Sequence, residues 1–303
     1  MNTLYKNLAG IKAGSVIAGK WNGKRYTIIR SLGSGENGIV YLVQSQQRQY
    51  ALKLSPASTD LSYEIQVIQR LNETRGQSLG FSVFDIDDFF YLGESYAFYV
   101  MPYFRGISIE KYLYGKGEQD YLIIFRKLLE LLEIVHSEGI IIGDLKPEHI
   151  IIDPNSMKIS IIDFGGATPL SEGIRQYTEI YDRGGWKVGD RKADQHYDLF
   201  SLALIFIQMG IGKNKLIKIF KQTASIAELY GIIRRISILT AVNEALKGIL
   251  FRKILTTKEA ANQLKLSATL SRPQKDSKKW IEWLFNSSLI IFVLVFVYFI
   301  SSW

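Results

Sequence analysis

The first hundred residues carry a hydrophobic pattern that predicts β-strands. Residues 26–32, 39–43 and 50–54 form short runs that alternate or are rich in β-branched residues, and turn residues separate them. Residues 81–91 and 95–103 have the same character. The N-terminal third therefore predicts a small lobe built mainly from strands.

From residue 107 onward the pattern changes to helical spacing. Residues 107–114 and 121–136 predict two helices, and residues 197–206 begin a third that is apolar nearly all round, as in the core of a larger lobe. One helix is also expected within the strand-rich third, at residues 61–72. On its apolar side Leu61, Ile65 and Ile68 recur at helical spacing, and Glu64 borders this face.

The C-terminal residues predict a membrane segment. Residues 283–303 contain no charged side chain, and 21 residues span roughly 30 Å as a helix, enough to cross a bilayer. Residues 267–282 predict a basic linker, whose lysines favour a cytoplasmic location for the preceding domain. The expectation is a single-pass, C-terminal anchor in the cell membrane; the alternative is a buried C-terminal core helix.

Composition adds two constraints. The 303 residues contain no Cys, which excludes disulfides and thiolate metal sites. The net charge of +8 is uneven: residues 1–210 carry 22 basic and 24 acidic side chains, whereas residues 211–282 carry 15 and five. The basic region 213–279 therefore favours an anionic partner, either an anionic lipid bilayer or DNA, although a solvated helix face explains any single lysine.

The candidate chemistry surrounds a predicted hairpin at residues 150–162. Asp144 and Asp163 flank this hairpin, with Lys146 and His149 between them. Phosphoryl transfer needs an acid to orient the attacking hydroxyl, a cation on the moving phosphate and a second acid to hold magnesium. Residues 33–38 form a Gly-x-Gly-x-x-Gly turn between two strands, which suits phosphate binding. The competing interpretations are that Asp144 and Asp163 are ordinary turn residues and that the glycines form only a tight turn.

The motif Gly143-Asp144-Leu145-Lys146-Pro147-Glu148-His149 lies ahead of Asp163-Phe164-Gly165, and Asp163 is nineteen positions after Asp144. Together they resemble the catalytic and magnesium loops of protein kinases. The resemblance implies an α+β, bilobal protein-kinase-like fold that uses ATP and Mg²⁺. Its expected parts are an N-terminal extension (1–20), an N-lobe (21–103), a C-lobe (104–266), the linker and the transmembrane helix.

The resemblance also implies residue roles. Asp144 and Lys146 would be catalytic, Asp163 and His149 would hold the metal, and Asp198 would accept N–H bonds from the catalytic loop. Lys53 would pair with Glu64, and Met101 would lie at the back of the adenine pocket. The nucleotide-binding set is Leu32, Gly33, Ser34, Gly35, Glu36, Asn37, Gly38, Ile39, Val40, Ala51, Lys53, Glu64 and Met101.

Three departures from that family bear on mechanism. Ile142-Gly143 stand where most kinases have His-Arg, so switching by a phosphate gripped by that arginine is not expected. His149 replaces the usual Asn, and a nitrogen ligand suits Mn²⁺ better than Mg²⁺. The activation segment, residues 166–196, lacks Ala-Pro-Glu; Thr168, Ser171 and Thr178 are its candidate phosphorylation sites.

The whole arrangement resembles the short, membrane-anchored Ser/Thr kinases of spore-forming Gram-positive bacteria. That likeness implies protein substrates modified on Ser or Thr, activation by DNA and a role in sporulation. A homodimer for autophosphorylation is a separate expectation. Two other functions stay open. One is a membrane-tethered pseudokinase that binds nucleotide or DNA as a scaffold, and the other is a small-molecule kinase on the same fold.

Overall fold

The computed structural model describes residues 8, 10–35, 38–56, 58–75, 82–270 and 288. The chain forms a β-rich N-lobe and a helical C-lobe, as expected from the sequence. The N-lobe contains β1 (Val16–Ala18), β2 (Arg25–Gly35), β3 (Gly38–Ser45), β4 (Arg48–Ser55), α1 (Ser58–Arg75), β5 (Asp85–Tyr91) and β6 (Glu94–Pro102). Its six strands form one antiparallel sheet in the order β1-β2-β3-β4-β6-β5.

The pleat of this sheet separates a core face from a cleft face, because successive side chains of a strand point to opposite sides. Val40 pairs with Lys53, and Lys53 with Tyr99 on the next strand. These residues share the face toward the cleft with Ala51 and Met101, which pair in the same register. The opposite face buries a small core made of Leu8, Ile11, Ile17, Tyr26, Ile28, Ile39, Tyr41, Val43, Leu52, Leu54, Phe89, Tyr96, Phe98 and Val100.

Carboxylates of β5 connect the two ends of the sheet. Asp87 accepts the backbone N–H groups of Trp21 (3.0 Å) and Asn22 (2.9 Å). Asp85 accepts the hydroxyl of Tyr26 at 2.6 Å. The predicted N-terminal extension thus supplies β1 to the N-lobe sheet and the side chains of Leu8, Ile11 and Ile17 to its core.

The C-lobe is mainly helical, as its sequence pattern predicts. It contains β7 (Ile107–Ser108), α2 (Ile109–Leu113), α3 (Glu118–Ser137), β8 (Ile140–Ile141), β9 (Ile150–Ile152), β10 (Ile159–Ile161), β11 (Thr168–Pro169), α4 (Gln195–Ile211), α5 (Lys213–Gln222), α6 (Ile226–Ile233), α7 (Asn243–Leu250) and α8 (Thr257–Leu270). The strands β9 and β10 form the hairpin expected after the catalytic loop.

The helix α4 lies at the centre of this lobe. Residues 196–208 are all buried, because the apolar positions occupy most of the helix circumference. The side chain of Asp194 caps the N-terminus by accepting the N–H of Tyr197, and Gly212 ends the helix with a φ of +86°.

Within the described ranges, no single helix combines the length and the apolar composition needed to cross a bilayer. The pair α4 and α5 passes that test only together, across a bend of 119°. The helix α8 continues to Leu270, and so includes the first four residues of the predicted linker. The predicted membrane segment 283–303 lies outside the described residues, apart from Ser288.

The bonds from backbone N–H groups to the Asp87 carboxylate give a stability prediction. Burial raises the pKa of Asp87, but the backbone N–H groups of residues 20–22 and 88 outweigh it and lower that pKa. A depressed carboxyl pKa stabilises the fold above the unfolded value near pH 4, and this contribution is lost as the pH falls through the folded value. We expect Asp87→Asn to lower the free energy of unfolding at neutral pH by about 2 kcal/mol.

Urea unfolding at several pH values measures this effect. The difference between wild type and Asp87→Asn should shrink below about pH 4. Asp88→Asn is the matched control. In the described part of the chain, the Asp88 carboxylate accepts one hydrogen bond, from the exposed indole N–H of Trp21. Equal destabilisation by both variants would contradict the prediction.

Candidate active site

The Lys53–Glu64 pair expected from the sequence is confirmed. The ammonium group of Lys53, on β4, lies 2.8 and 2.7 Å from the two carboxylate oxygens of Glu64, on α1. Lys53 is 3% exposed and Glu64 1%. Burial acts to lower the pKa of Lys53, but Glu64 and Asp163 outweigh it and raise that pKa. Lys53 is therefore a fixed cation in the cleft.

Glu64 also connects α1 to the magnesium loop. One of its carboxylate oxygens, Oε1, accepts the hydroxyl of Tyr99 and the backbone N–H of Phe164, each at 3.2 Å. Burial raises the pKa of Glu64, while Lys53 opposes that shift. A buried carboxylate costs free energy unless its oxygens accept hydrogen bonds. Both oxygens of Glu64 accept such bonds here. The position of α1 is thereby tied to the backbone of the Asp-Phe-Gly motif.

Asp163 lies at the other end of the Lys53 ammonium group. Its Oδ1 atom is 3.1 Å from Lys53 Nζ and also accepts the backbone N–H of Gly165 at 2.9 Å. Burial acts to raise the pKa of Asp163, but Lys53 and His149 outweigh it and lower that pKa. The side chain is 28% exposed, so an ionised carboxylate faces the cleft.

Asp144 carries a second carboxylate, whose side chain is 5% exposed. Its Oδ2 accepts the ammonium group of Lys146 at 2.7 Å, and its Oδ1 accepts the hydroxyl of Thr178 at 2.6 Å. Thr178 belongs to the activation segment, where the sequence suggested only a phosphorylation site. Its contact with Asp144 depends on the folding of residues 166–196 and has no signal in the local sequence.

His149 lies between the two aspartates. Its Nδ1 atom is 3.0 Å from the backbone carbonyl of Asp144, which accepts a hydrogen bond, so Nδ1 carries a proton. Its Nε2 atom lies 3.4 Å from Asp163 Oδ2. Burial lowers the pKa of His149, although the two aspartates oppose the shift. In the neutral ring, Nε2 offers a lone pair beside a carboxylate oxygen.

This donor set fits a divalent cation that is completed by other ligands. In the described residues, no group of three or more His, Cys, Asp or Glu side chains could hold a metal alone. Mg²⁺ in phosphate-transfer sites is bound through one or two protein groups together with substrate phosphates. Asp163 and His149 provide one oxygen and one nitrogen donor of that kind.

Asp198 organises the catalytic loop, in agreement with the sequence prediction. It is fully buried and accepts the backbone N–H groups of Ile142 (2.8 Å) and Gly143 (3.0 Å). His136 Nε2 lies 2.9 Å from the same carboxylate, so this buried histidine has a structural role. Gly143 has a φ of +77°, and a Cβ there would lie 2.6 Å from the carbonyl oxygen of Gly166. Any side chain at this position, arginine included, would therefore clash with the Gly166 carbonyl in this conformation.

A cavity of about 380 Å³ opens between the lobes beside these charges. Five of the predicted nucleotide-binding residues line it: Leu32, Gly33, Val40, Ala51 and Met101. The sequence had not singled out several apolar residues of its C-lobe wall, among them Ile107, Ile151 and Ile161. They come from separate short strands, so only the folded chain brings them under the sheet.

The other predicted nucleotide-binding residues have different positions. Ser34, Gly35 and Gly38 lie at the tip of the β2–β3 hairpin, and Glu36 and Asn37 lie outside the described residues. A Cβ at Gly38 would come within 2.4 Å of the carbonyl oxygen of Leu54. The side chain of Ile39 is buried in the N-lobe core, on the face away from the cavity.

The activation segment ends in a buried ionic network that the sequence did not reveal. Arg183 is fully buried and donates to both carboxylate oxygens of Asp194, at 2.5 and 2.9 Å. Asp182 accepts the guanidinium of Arg191 and the hydroxyl of Tyr197. Thr168 is also fully buried, which makes its hydroxyl inaccessible in this conformation. The ion pairs Arg183–Asp194 and Arg191–Asp182 thus stabilise the region where the sequence lacks Ala-Pro-Glu.

Comparison with known proteins agrees with this geometry. The protein kinase domain family matches residues 26–286. A serine/threonine-protein kinase of Bacillus subtilis, YabT, is 40% identical over 210 residues, which cover 68% of this chain and 62% of that protein. Serine/threonine-protein kinase D of Synechocystis is 30% identical over 209 residues, or 60% of this chain and 40% of that protein. The chain thus spans less than two thirds of either relative.

Solved structures show the same fold at low sequence identity. Vaccinia related kinase 3 superposes with a TM-score of 0.62 at 16% identity, over 86% of this chain and 93% of that one. The kinase PK-1 of the Cydia pomonella granulovirus gives a TM-score of 0.61 at 16% identity, over 78% and 92% of the two chains. The charged cleft, the bilobal fold and the family match have one explanation: this chain belongs to the protein kinase family, whose members use ATP with Mg²⁺.

Proposed function

We propose that this chain is an ATP-dependent serine/threonine protein kinase. One observation carries the proposal: Lys53 is bonded to Asp163, and His149 links the two aspartate segments, with Nδ1 on the backbone carbonyl of Asp144 and Nε2 3.4 Å from Asp163 Oδ2. Separate cavities for these side chains would have excluded phosphoryl transfer. These contacts bring together the cation and the two aspartate segments that this reaction uses.

The roles of the chain's own groups follow from their positions. Lys53 binds phosphate oxygens of the nucleotide, and Glu64 fixes the direction of its ammonium group. Asp144 accepts a hydrogen bond from the attacking hydroxyl and orients it, while Lys146, 2.7 Å from that carboxylate, neutralises charge on the transferred phosphate. Thr178 holds Asp144 from the activation-segment side.

Serine and threonine side chains of proteins are the proposed acceptors. Both curated relatives described above are named serine/threonine-protein kinases. Lys146 of the Asp-Leu-Lys-Pro motif supports the same choice by family resemblance. Two copies are further proposed to pair as a homodimer and phosphorylate each other.

The metal is proposed to be Mg²⁺, with a relative preference for Mn²⁺. Asp163 supplies a hard oxygen, but His149 supplies nitrogen where an amide oxygen is usual. Imidazole nitrogen is a poor match for Mg²⁺ and a better one for Mn²⁺.

The same histidine supports a second candidate function, a pseudokinase. If the His149 nitrogen fails to complete the metal site, the chain would still bind nucleotide in the 380 Å³ cavity and act as a tethered scaffold. Nucleotide binding without phosphate transfer is the property that separates this function from a kinase.

We further propose that residues 283–303 anchor the chain in the cell membrane, with the kinase domain on the cytoplasmic side. Support comes from the 21 uncharged residues and from the lysines that precede them at positions 275, 278 and 279. Anionic lipid headgroups would then lie close to the basic region.

DNA is proposed as an activating partner for the basic region 213–279. All described lysines and arginines from residue 213 to residue 265 are exposed except the half-buried Lys247. Three of them, Lys215, Lys218 and Lys221, recur every three residues on α5. Such a charged stripe binds polyanions by releasing their counterions. The proposed link to sporulation rests on the likeness to kinases of spore-forming bacteria.

Substitution of the cleft charges tests the kinase assignment. We expect Lys53→Ala and Asp144→Asn each to lower phosphate incorporation into a generic protein substrate by about 100-fold or more, because each removes a charge from the transition state. Radiolabelled ATP with the purified full chain, assayed in Mg²⁺ and in Mn²⁺, measures the rate. Unchanged incorporation in either variant would refute the enzyme function.

The same assay addresses the metal. His149→Asn restores an amide oxygen, so the ratio of the Mn²⁺ rate to the Mg²⁺ rate should fall. A ratio equal to that of the wild type would show that His149 does not set metal preference. If nucleotide raises the melting temperature while neither metal supports transfer in the wild type, the pseudokinase function is correct.

Removal of the Thr178 hydroxyl should slow transfer. Thr178→Val keeps the shape of the side chain and deletes the donor to Asp144; a hydrogen bond to a charged group is worth about 2 kcal/mol, which corresponds to roughly a 30-fold lower kcat. Thr178→Ser is the matched control and should retain most of the activity. If valine and serine behave alike, the hydroxyl does not orient Asp144.

Polyanion activation can be tested by a salt series. Autophosphorylation of the full chain should rise with duplex DNA and lose this stimulation as salt increases. Replacement of Lys215, Lys218 and Lys221 by Gln should reduce the slope of log affinity against log salt by about three. A double variant of exposed lysines outside the basic region, Lys12→Gln with Lys116→Gln, serves as control. Stimulation by phosphatidylglycerol vesicles but not by DNA would identify lipid as the partner.

A further inference from the structure

The activation segment reaches back to α1 through one arginine. The guanidinium carbon of Arg175 lies 3.9 Å from the centroid of the Tyr63 ring. Tyr63 directly precedes Glu64, and its ring is half-buried against the large hydrophobic core. A guanidinium at this distance from an aromatic ring makes a favourable cation–π contact.

We infer that Arg175 is a positioning residue: by stacking on Tyr63 it holds α1 so that Glu64 stays bonded to Lys53. The inference rests on the proposed kinase function, because the Arg175–Tyr63 contact would regulate the active site of that kinase. The contact couples the folding of residues 166–196 to the Lys53–Glu64 pair, without a phosphate group.

The backbone of Arg175 is fixed from the magnesium-loop side. Its N–H donates to the hydroxyl of Thr168 at 3.3 Å, and that hydroxyl donates to the carbonyl of Gly166 at 3.0 Å. Gly166 follows Gly165, whose N–H is bonded to Asp163. Thr168 is fully buried, so this link is shielded from water.

The segment around Arg175 is also held by its own backbone pairing. The N–H of Ile174 donates to the carbonyl of Arg191 at 2.8 Å, and Gly173 forms a bridge with Lys192. The N–H of Ser171 donates to the carbonyl of Ala193 at 2.8 Å. Residues 171–174 therefore run antiparallel to residues 191–193, which places Arg175 at a defined point over α1.

Two routes consequently join the magnesium loop to α1. The first is direct, from the N–H of Phe164 to Glu64. The second passes through Thr168, Arg175 and Tyr63. In the described part of the chain no carboxylate forms an ion pair with Arg175, so the ring of Tyr63 is the partner that orients its guanidinium.

The arrangement explains how α1 is held in a chain that has Gly143 before the catalytic aspartate. The catalytic loop offers no arginine at that position to bind a phosphorylated activation segment. Here the cation is on the segment itself and the binding surface is an aromatic side chain on α1. Both groups are present in the unmodified chain, so the coupling operates without prior phosphorylation.

Kinetics of paired variants test the inference. Arg175→Met keeps the aliphatic stem and removes the charge, and Tyr63→Leu removes the ring. Each should lower kcat about three- to ten-fold, with the KM for the protein acceptor unchanged, and the double variant should be no slower than either single one. Tyr63→Phe keeps the ring and should recover most of the kcat lost in Tyr63→Leu. Lys116→Met, which removes a cation over Tyr112, is the matched control.

Hydrogen exchange of the amides in α1, measured on the same full-chain proteins, does not depend on phosphate transfer. Faster exchange across residues 58–75 in Arg175→Met, but not in Lys116→Met, supports the inference even if the wild type transfers no phosphate and the proposed function fails. The inference is overturned if exchange in α1 is unchanged. It is also overturned if an active wild type and Arg175→Met have equal kcat, or if the loss in Arg175→Met is confined to acceptor KM, which would place Arg175 in the acceptor site.

Discussion

The active site of this protein depends on one buried carboxylate. Glu64 is withdrawn from water almost completely, and it accepts bonds from Lys53 on β4, Tyr99 on β6 and the backbone of Phe164. A buried charge with one partner removed is destabilising by about 3–5 kcal/mol. The four groups are therefore favourable only when all are in place, and this requirement brings the N-lobe sheet, α1 and the magnesium loop into one arrangement.

The catalytic loop is organised by a second buried carboxylate in the same way. Asp198 lies on α4, the central helix of the C-lobe, and its oxygens hold the backbone at Ile142 and Gly143. Gly143 tolerates no side chain because the Gly166 carbonyl lies against it. The activation segment is consequently stabilised by contacts of its own, chiefly those of Arg183 with Asp194 and of Arg191 with Asp182. These ion pairs explain why the activation segment is folded although it lacks Ala-Pro-Glu.

Charge is distributed unevenly along the chain. The catalytic cleft combines carboxylates with two lysines, Lys53 and Lys146, whereas the excess of basic residues lies in the last third of the chain, beginning with α5. Charges act over about a Debye length, roughly 8 Å at physiological salt, and α5 begins beside the catalytic loop, where Lys213 pairs with Glu148 at 3.2 Å. The family match, residues 26–286, covers both the cleft and the basic region, whereas the partners of the basic region are a proposal.

Sequence alone determined the lobes, most elements and the principal charges of the site. Alternating strands, the apolar helices and the spacing of Asp144 and Asp163 are local patterns, and each follows from residues a few positions apart. The Lys53–Glu64 pair was also predictable, since a lysine among apolar strand residues requires an acidic partner. Tertiary structure decided the rest: Thr178 bonded to Asp144, Arg183 buried by Asp194, and Arg175 stacked on Tyr63. Most of these contacts join distant segments or depend on how an irregular loop folds, so no periodicity or motif encodes them, and only packing against α4 and α1 brings the groups together.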